Sequence, residues 1–419
     1  MPLPRAIWAR SFFETRSRGQ VVRARARSGA TIHMLTASES VEAGLKASTV
    51  GSELTLVTWS GGGRAVEPAA EEAYAAIDSL LGERGCSPVQ ERVFAELAAA
   101  PAVARGRARV VGSAADWAVP PTCVEGAPVG RAGLAGIHVI AARGTSRLLA
   151  EGDRVYGRMV ETPAAQVLGL SDVGRRASGR LAAGPAEDAG AAIDAAENLL
   201  AREGFSFRDV ARTWFYLRDI LDWYGPFNAV RNAAFRRMGL VGSGGDGQIP
   251  ASTGIEGRNH RGGWCALDLL AVRPRSGARL EMKRLYNRKQ SEATEYGSAF
   301  ARAMELALGD ARYIFVSGTA SIDDHGRTVH AGDFETQARY TLEAVAALLE
   351  GAGASLADVG QATAFLANPG DGGSFQRVVE RSELRKAPLV TTVADICRDD
   401  LLFEVDAVAV VPLGRRARR

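Results

Sequence analysis

The sequence predicts an α+β fold in which three related units share one chain. Three observations support this fold class. A pattern of strand, Ser-Gly, amphipathic helix, glycine and strand occurs three times along the 419 residues. Hydrophobic residues make up 46% of the chain and charged residues 24%, which is typical of globular proteins rather than disordered or fibrous ones. No apolar run approaches the roughly 20 residues that a membrane helix needs, so we expect no membrane partner.

Each copy begins with a short apolar strand, a Ser-Gly pair and a long helix. Apolar runs at 54–59 and 313–316 predict the first strands of copies one and three. Ser60-Gly61, Ser178-Gly179 and Ser317-Gly318 mark the three copies, and we expect the pairs to end strands. Apolar residues recurring at helical spacing predict helices over 69–84, 186–203 and 333–351.

A glycine ends each predicted helix, at Gly85, Gly204 and Gly353, where helices commonly need a left-handed residue. A serine follows closely and leads into the next strand. A further apolar strand closes each unit, over 137–142, 265–272 and 402–410. Helices cover only one face of such a sheet, so the other apolar face must pack elsewhere. Three sheets around a pseudo-threefold axis bury those faces together, which predicts an intrachain pseudotrimer.

The repeats divide the chain into five parts. We expect an Arg-rich tail over 1–30, a diverged first unit over 31–145, a second unit over 151–275, a third unit with the candidate active site over 280–413, and a basic tail over 414–419. An Arg-rich start resembles a targeting segment or a nucleic-acid arm. In a chain rich in arginine throughout, we interpret both ends as solvated tails.

Charge and cysteine usage narrow the function classes. The formal net charge of +3 is too small for a protein that binds nucleic acids through its overall positive charge, so no nucleic-acid partner is expected. Four scattered cysteines without CxxC spacing argue against a zinc site and a disulfide scaffold, and they favour a cytoplasmic location. The five histidines show no ligand spacing, so no metal is expected either.

The three copies resemble the Rid/YjgF superfamily, whose compact α+β units form trimers with sites in the clefts between neighbours. The third copy carries this resemblance in Ser298–Ala303, Val316–Thr319 and Phe403–Val410. Rid imine deaminases hold a substrate carboxylate with an arginine two residues after a proline. The corresponding positions here are Thr122, Ser252 and approximately Val390. The resemblance therefore implies the fold and the cleft sites without ordinary deaminase activity.

A narrower resemblance is to the chorismatases, Rid-derived enzymes that release pyruvate from chorismate. The shared segments are 212–214, 250–255, 300–303, 316–322, 328–333 and 394–404. The resemblance implies that Glu404 is the catalytic acid and that Cys397 lines the site, as in the branch that makes 3-hydroxybenzoate. Chorismatases carry Pro-Arg segments before the Phe-x-Arg-Ala motif, whereas residues 290–297 here keep only Tyr296-Gly297 of that pattern.

The residues around Glu404 suit general-acid chemistry. Alternation along the strand places Glu404 and Asp406 on one face, with Phe403 and Val405 on the other. A carboxyl group among apolar neighbours has a raised pKa and can keep its proton near neutrality. Such an acid protonates an enol ether without any metal or redox cofactor. The alternative is a structural carboxylate that forms a salt bridge with Arg302 or Arg398.

The remaining candidates are binding residues. Side chains able to hold a carboxylate or a hydroxyl are Arg212, Tyr216, Tyr296 and Arg302, each with an alternative as a surface or strand-edge residue. Backbone amides near Thr253 and the segment Ser317, Gly318 and Thr319 are predicted at strand ends facing a cleft, with simple turn chemistry as the alternative. Cys397 is interpreted as a pocket residue or a buried apolar side chain rather than a nucleophile.

Three functions remain open from the sequence. The first is a cofactor-free, chorismatase-like hydrolase or lyase acting on a small anionic enol ether. The second is a Rid-family protein that binds a metabolite without turnover, or hydrolyses an enamine or imine with an altered substrate. The third is an RNA-binding or ribonuclease role, which the near-neutral charge disfavours. The aromatic residues Trp214, Trp223 and Tyr224 could stack on RNA bases, with a place in the core as the alternative. The protein is expected to be a monomeric pseudotrimer, with further association open.

Overall fold

The computed structural model describes residues 44–415, apart from 49, 62–64, 113, 131, 175–183, 242–247, 260, 261, 277 and 279. The Arg-rich tail, the Ser178-Gly179 pair and most of the basic tail lie outside the described residues. Among the helices that are described, none is long and apolar enough to cross a membrane.

Long helices and strands alternate through the described part of the chain. The helices are α1 Val66–Arg84, α2 Ala100–Val111, α3 Pro185–Arg202, α4 Ile220–Arg237, α5 Phe334–Gly351 and α6 Gly372–Glu380. The strands are β1 Gly44–Ala47, β2 Leu54–Ser60, β3 Cys86–Ala95, β4 Thr122–Glu125, β5 Ala127–Pro128, β6 Leu134–Arg143, β7 Thr145–Glu151, β8 Arg154–Glu161, β9 Ala165–Val173, β10 Val210–Leu217, β11 Ala251–Glu256, β12 Cys265–Pro274, β13 Glu281–Leu285, β14 Ala303–Leu308, β15 Ala311–Ala320, β16 Val359–Leu366, β17 Leu389–Val393 and β18 Phe403–Pro412.

These strands form three mixed sheets with the same internal plan. The orders are β1-β2-β6-β3-β4, β11-β10-β12-β9-β8-β7 and β13-β14-β15-β18-β16-β17-β5. In each sheet the strand after the long helix pairs antiparallel with the closing strand, as β3 with β6, β10 with β12 and β16 with β18. The same strand pairs in parallel with a short strand on its other side, namely β4, β11 and β17. The α+β class and the three related sheets are therefore confirmed.

The three sheets enclose one central apolar core. Leu56 from the first sheet, Trp214 from the second and Phe315 from the third belong to the same buried cluster. Three other clusters are each formed mainly by one sheet and its helices. Backbone pairing closes the ring: Val124 with Asn259, Ala251 with Ala301, and β17 with β5. The apolar faces are thus buried together, as three open sheets require.

The helix ends follow the sequence closely. Gly85 is the C-cap of α1 with φ 60°, and Gly204 and Gly353 follow the ends of α3 and α5 with φ 75°. Ser206 and Ser355 each donate a backbone N–H to the aspartate three residues later, which forms the turn into the next strand. In the first copy, β3 begins at Cys86, so the corresponding Ser87 lies inside the strand.

Two predictions about strand ends were wrong. Ser317-Gly318 lies inside β15, which continues to Ala320 because a register shift against β18 occurs between Val316 and Thr319. One extra residue on β15 forms a β-bulge, which bends the strand locally and lets it continue past the pair. Thr253 likewise lies within β11, which pairs with β10 through to Glu256.

Candidate active site

A cleft of about 180 Å³ lies between the second and third sheets. The second unit contributes α4 and β11 to its walls, and the third contributes β15, β18 and the loop segments 296–302 and 397–398. Polar and aromatic side chains dominate the lining, and three of them are arginines. A cavity of this size accepts one small metabolite.

Glu404 projects into this cleft from β18 and is only 5% exposed. Its carboxyl lies against Gly318 of β15, where a β-carbon at position 318 would stand 2.1 Å from Oε1 of Glu404. The bulge in β15 and the missing side chain at Gly318 together leave room for the carboxyl group. Burial, with the nearby charge of Asp406, raises the pKa of Glu404 to about 8. The group therefore carries a proton at neutral pH.

Asp406 lies two residues further along β18, and side chains of the second unit bind its carboxylate. Nη2 of Arg212 approaches Oδ2 of Asp406 at 2.9 Å, and the Thr253 hydroxyl donates to the same oxygen at 2.9 Å. Nε1 of Trp214 donates to it as well, at 3.2 Å. Arg212 acts against the rise in the Glu404 pKa, but burial outweighs it. This network fixes a charged pair next to the acid.

Cys397 and Tyr224 line the same cleft as Glu404. Desolvation, with a further contribution from Glu404, raises the pKa of the Cys397 thiol to about 12. Tyr224 acts against both the rise in the pKa of Cys397 and the fall in the pKa of Arg231. Because the thiol stays protonated, Cys397 serves here as a neutral wall residue rather than as a thiolate.

Three guanidinium groups surround the cleft. Arg302 donates from Nε to the Ser291 carbonyl at 2.9 Å, and Arg398 donates to the Gly326 carbonyl at 3.0 Å. The ring of Tyr296 lies 5.4 Å from the guanidinium carbon of Arg302 and 5.9 Å from that of Arg398. No ion pair joins Glu404 to Arg302 or Arg398 in the described part of the chain. The alternative that Glu404 is a structural carboxylate in such a salt bridge is therefore wrong.

The structure brings together only some of the predicted site residues. Glu404, Cys397, Arg302, Tyr296 and Gly318 line the cleft. The others point elsewhere: Arg212 and Thr253 bind Asp406 behind Glu404, Ser317 donates to the Ala301 carbonyl, Thr319 donates to the Ser317 carbonyl, and Tyr216 packs against Phe94 at the boundary with the first unit.

The lining residues that were not predicted from the sequence include Tyr224, Asn228, Arg231 and Ser298. The first three lie on α4, which reaches the cleft from the second unit. Their spacing places them on one helix face. That pattern of polar residues beside Phe227 was available in the sequence, but nothing local indicated which neighbour the face would meet.

The equivalent positions in the other two sheets carry no carboxyl group. Glu404 lies opposite Phe365, Ala266 lies opposite Tyr216, and Gly136 lies opposite Phe94. A β-carbon at Gly136 would come within 2.5 Å of Val390. Only the third unit therefore presents an acid at this register position.

Comparison with known proteins matches the third unit to a family. A family model described as Endoribonuclease L-PSP matches residues 298–411. A RutC family protein of Pyrococcus horikoshii is 30% identical over 105 residues, which are 25% of this chain and 82% of that relative.

The chain belongs to the Rid/YjgF superfamily.

Within the Rid/YjgF superfamily, this protein resembles the chorismatase and 3-hydroxybenzoate synthase branch. A 3-hydroxybenzoate synthase of Streptomyces hygroscopicus is 30% identical over 235 residues, or 50% of this chain. The match spans 65% of that relative, slightly less than two thirds of its length. A chorismatase crystal structure superposes with a TM-score of 0.54 at 25% identity, covering 69% of this chain and 86% of the other.

Proposed function

We propose that this Rid/YjgF protein is a hydrolase or lyase that releases pyruvate from chorismate, or from a related small anionic enol ether, by general-acid catalysis. The observation that carries the proposal is Glu404, a carboxyl group with a pKa of about 8 in a cleft lined by three arginines. The acid is protonated where the substrate binds, and the cationic walls attract an anion. The likeness to 3-hydroxybenzoate synthase and chorismatase supports the same chemistry.

The proposed reaction begins with proton transfer from Glu404 to the terminal methylene carbon of the enol ether. The electron pair of the carbon–carbon double bond forms the new C–H bond, and the ether carbon becomes an oxocarbenium centre. Water attacks that centre and returns a proton to the Glu404 carboxylate. The resulting hemiketal breaks its bond to the ring oxygen, which leaves pyruvate and a ring alcohol. Each step uses one buried acid–base group in turn as acid and as base.

The identity of the ring product is a separate part of the proposal. If the neighbouring ring hydroxyl attacks the oxocarbenium centre instead of water, it gives up its proton to the Glu404 carboxylate and a cyclic ketal forms. The bond between the ring carbon and that hydroxyl oxygen then breaks, and the ring carbon that bears the ether oxygen loses its proton, so the ring aromatises. The ketal carbon finally releases the ether oxygen, which takes up a proton as the phenol, and leaves as pyruvate with the hydroxyl oxygen as its ketone. Cys397 lines the same cleft as Glu404 and keeps its thiol neutral, and we propose that this small apolar side chain keeps water from attacking. We therefore expect 3-hydroxybenzoate to be among the products.

The test is pyruvate release from chorismate, measured with a lactate dehydrogenase couple and followed by chromatography of the ring product. Glu404→Gln should lower kcat at least about 100-fold, since general-acid groups contribute that much or more. Glu350→Gln, on the exposed face of α5, is the matched control and should leave the rate unchanged. No pyruvate from the wild type, or equal rates for the two variants, refutes the proposal. Binding of chorismate without turnover would favour a metabolite-binding protein instead.

A further inference from the structure

Among the residues that the structure describes, Arg231 is a buried cation without an acidic partner. It is 1% exposed, and it lies on α4 where that helix forms the cleft wall. Nη2 donates to the side-chain oxygen of Asn228 at 2.6 Å, while Nε has no hydrogen-bond partner in the described part of the structure. Burial lowers the pKa of Arg231, which reflects the cost of keeping its charge out of water.

Another buried arginine, Arg212, is neutralised by Asp406 at 2.9 Å, which compensates for removing the guanidinium from water. Arg302 is also buried, lines the same cleft and has no ion pair among the described residues, but its Nε and Nη2 both donate to the Ser291 carbonyl. Arg231 contacts only neutral groups in the described part of the chain, namely the Asn228 amide, the Tyr224 phenol and two phenyl rings, so its charge remains available to a ligand in the cleft.

The surroundings of Arg231 hold the guanidinium in one place. The rings of Phe227 and Phe300 lie 4.9 and 5.5 Å from its guanidinium carbon. Asn228 also accepts a hydrogen bond from the Ser298 hydroxyl at 3.3 Å. Such a fixed, planar donor is suited to a carboxylate, which accepts two parallel N–H bonds.

The helix that carries Arg231 is fastened to the third unit. Nδ2 of Asn232 donates to the Gly297 carbonyl at 2.6 Å, and the Ala299 N–H donates to Oδ1 of Asn232 at 2.9 Å. These bonds set α4 against the loop that faces Glu404. Arg231 therefore comes from the second unit and the acid from the third, and the site is complete only where the two units meet.

We propose that Arg231 is the carboxylate-binding residue of the cleft and that it orients the substrate toward Glu404. The inference rests on the proposed function for the identity of the substrate, but the carboxylate contact is testable without turnover. Arg231, Tyr224, Cys397 and Glu404 all line the same cleft of about 180 Å³. A small molecule with its carboxylate at Arg231 can therefore also meet the acid.

The experiment measures binding by calorimetry, with 3-hydroxybenzoate and its neutral amide as probes. Both are offered to the wild type, to Arg231→Met and to Arg236→Met, which changes an exposed arginine of the same helix. We expect the wild type and Arg236→Met to prefer the acid over the amide. Arg231→Met should bind the acid about 10- to 100-fold more weakly, the range for losing a charge-assisted hydrogen bond, and should lose the preference.

Two further measurements separate a binding role from a structural one. Arg231→Met should melt at the same temperature as the wild type or higher, because it removes an uncompensated buried charge. If the protein releases pyruvate, KM should rise more than kcat falls, and Arg231→Lys should recover part of the loss. Equal binding of the acid by Arg231→Met and Arg236→Met, or no binding by the wild type, overturns the inference. Intact, Arg231-dependent binding without pyruvate release would refute the proposed reaction alone.

Discussion

Replacing Glu404 with glutamine tests its protonation through folding rather than through catalysis. The pKa of Glu404 is raised from 4.5 to about 8 in the folded protein. Between those values the folded protein keeps a proton that the unfolded chain releases. The contribution of this group to the free energy of unfolding is therefore fully present below pH 4.5 and is lost as the pH rises through about 8. Glutamine does not titrate, so the free energy of unfolding of the variant should lack this pH-dependent contribution.

The size of the effect follows from the shift. A change from 4.5 to about 8 corresponds to about 5 kcal/mol at most. Two other buried groups titrate in the same range. Burial raises the pKa of Asp268 to about 7, and burial lowers that of His138 well below 6.5, with the opposite effect on stability. The wild-type profile is a sum of these contributions, whereas the difference between wild type and Glu404→Gln isolates Glu404.

The assay is urea unfolding at several pH values between 5 and 8, applied to wild type, Glu404→Gln and Glu350→Gln. The stability of the wild type relative to Glu404→Gln should decline by several kcal/mol across this range. The difference from Glu350→Gln should stay constant, because that side chain is exposed. A pH-independent difference for Glu404→Gln would refute the raised pKa, and with it the acid on which the proposed reaction depends.

Two further predictions concern the same carboxyl. The rate of pyruvate release should be level below pH 7 and fall about tenfold per pH unit above the Glu404 pKa of about 8. A stopped assay across pH 6 to 10 measures this profile. A rate that rises through this range would exclude Glu404 as the acid. Gly318→Ala places a β-carbon 2.1 Å from Oε1 of Glu404, so kcat should fall at least about tenfold and stability by about 1–3 kcal/mol. Gly351→Ala has open space around the new methyl group and should cost neither; equal effects of the two alanines would contradict the close approach at Gly318.

The sequence was sufficient for the repeated architecture because the signals for it are local. Helical periodicity, the glycines after α1, α3 and α5, and the turns begun by Ser206 and Ser355 all depend on residues a few positions apart. The alternation that places Glu404 and Asp406 on one face is local as well, and both side chains are buried on that face. Because three apolar sheet faces must be covered, the sequence also predicts that the three sheets pack together as a pseudotrimer.

The composition of the cleft depends on contacts between units, and local patterns carry little information about those. Arg212 resembles a binding residue in the sequence, but the structure pairs it with Asp406 across the second and third sheets. Arg231 was missed because only the docking of α4 against residues 297–299 shows which helix face meets the cleft. The position of Gly318 within β15 depends on the register with β18, which the strand's own sequence does not reveal.

A comparison of two boundaries explains why a threefold fold keeps one candidate site. In the third sheet the register shift places Gly318 beside Glu404. In the second sheet a similar shift, against β12, falls at Asp172, and the residue equivalent to Glu404 is Ala266. The backbone N–H of Asp172 donates to Oδ1 of Asp268 at 2.8 Å, and the Thr122 hydroxyl donates to the same oxygen at 2.7 Å. At that boundary the Asp268 carboxyl group accepts hydrogen bonds from both units, whereas at the other boundary Gly318 leaves room for the Glu404 carboxyl group to face the cleft.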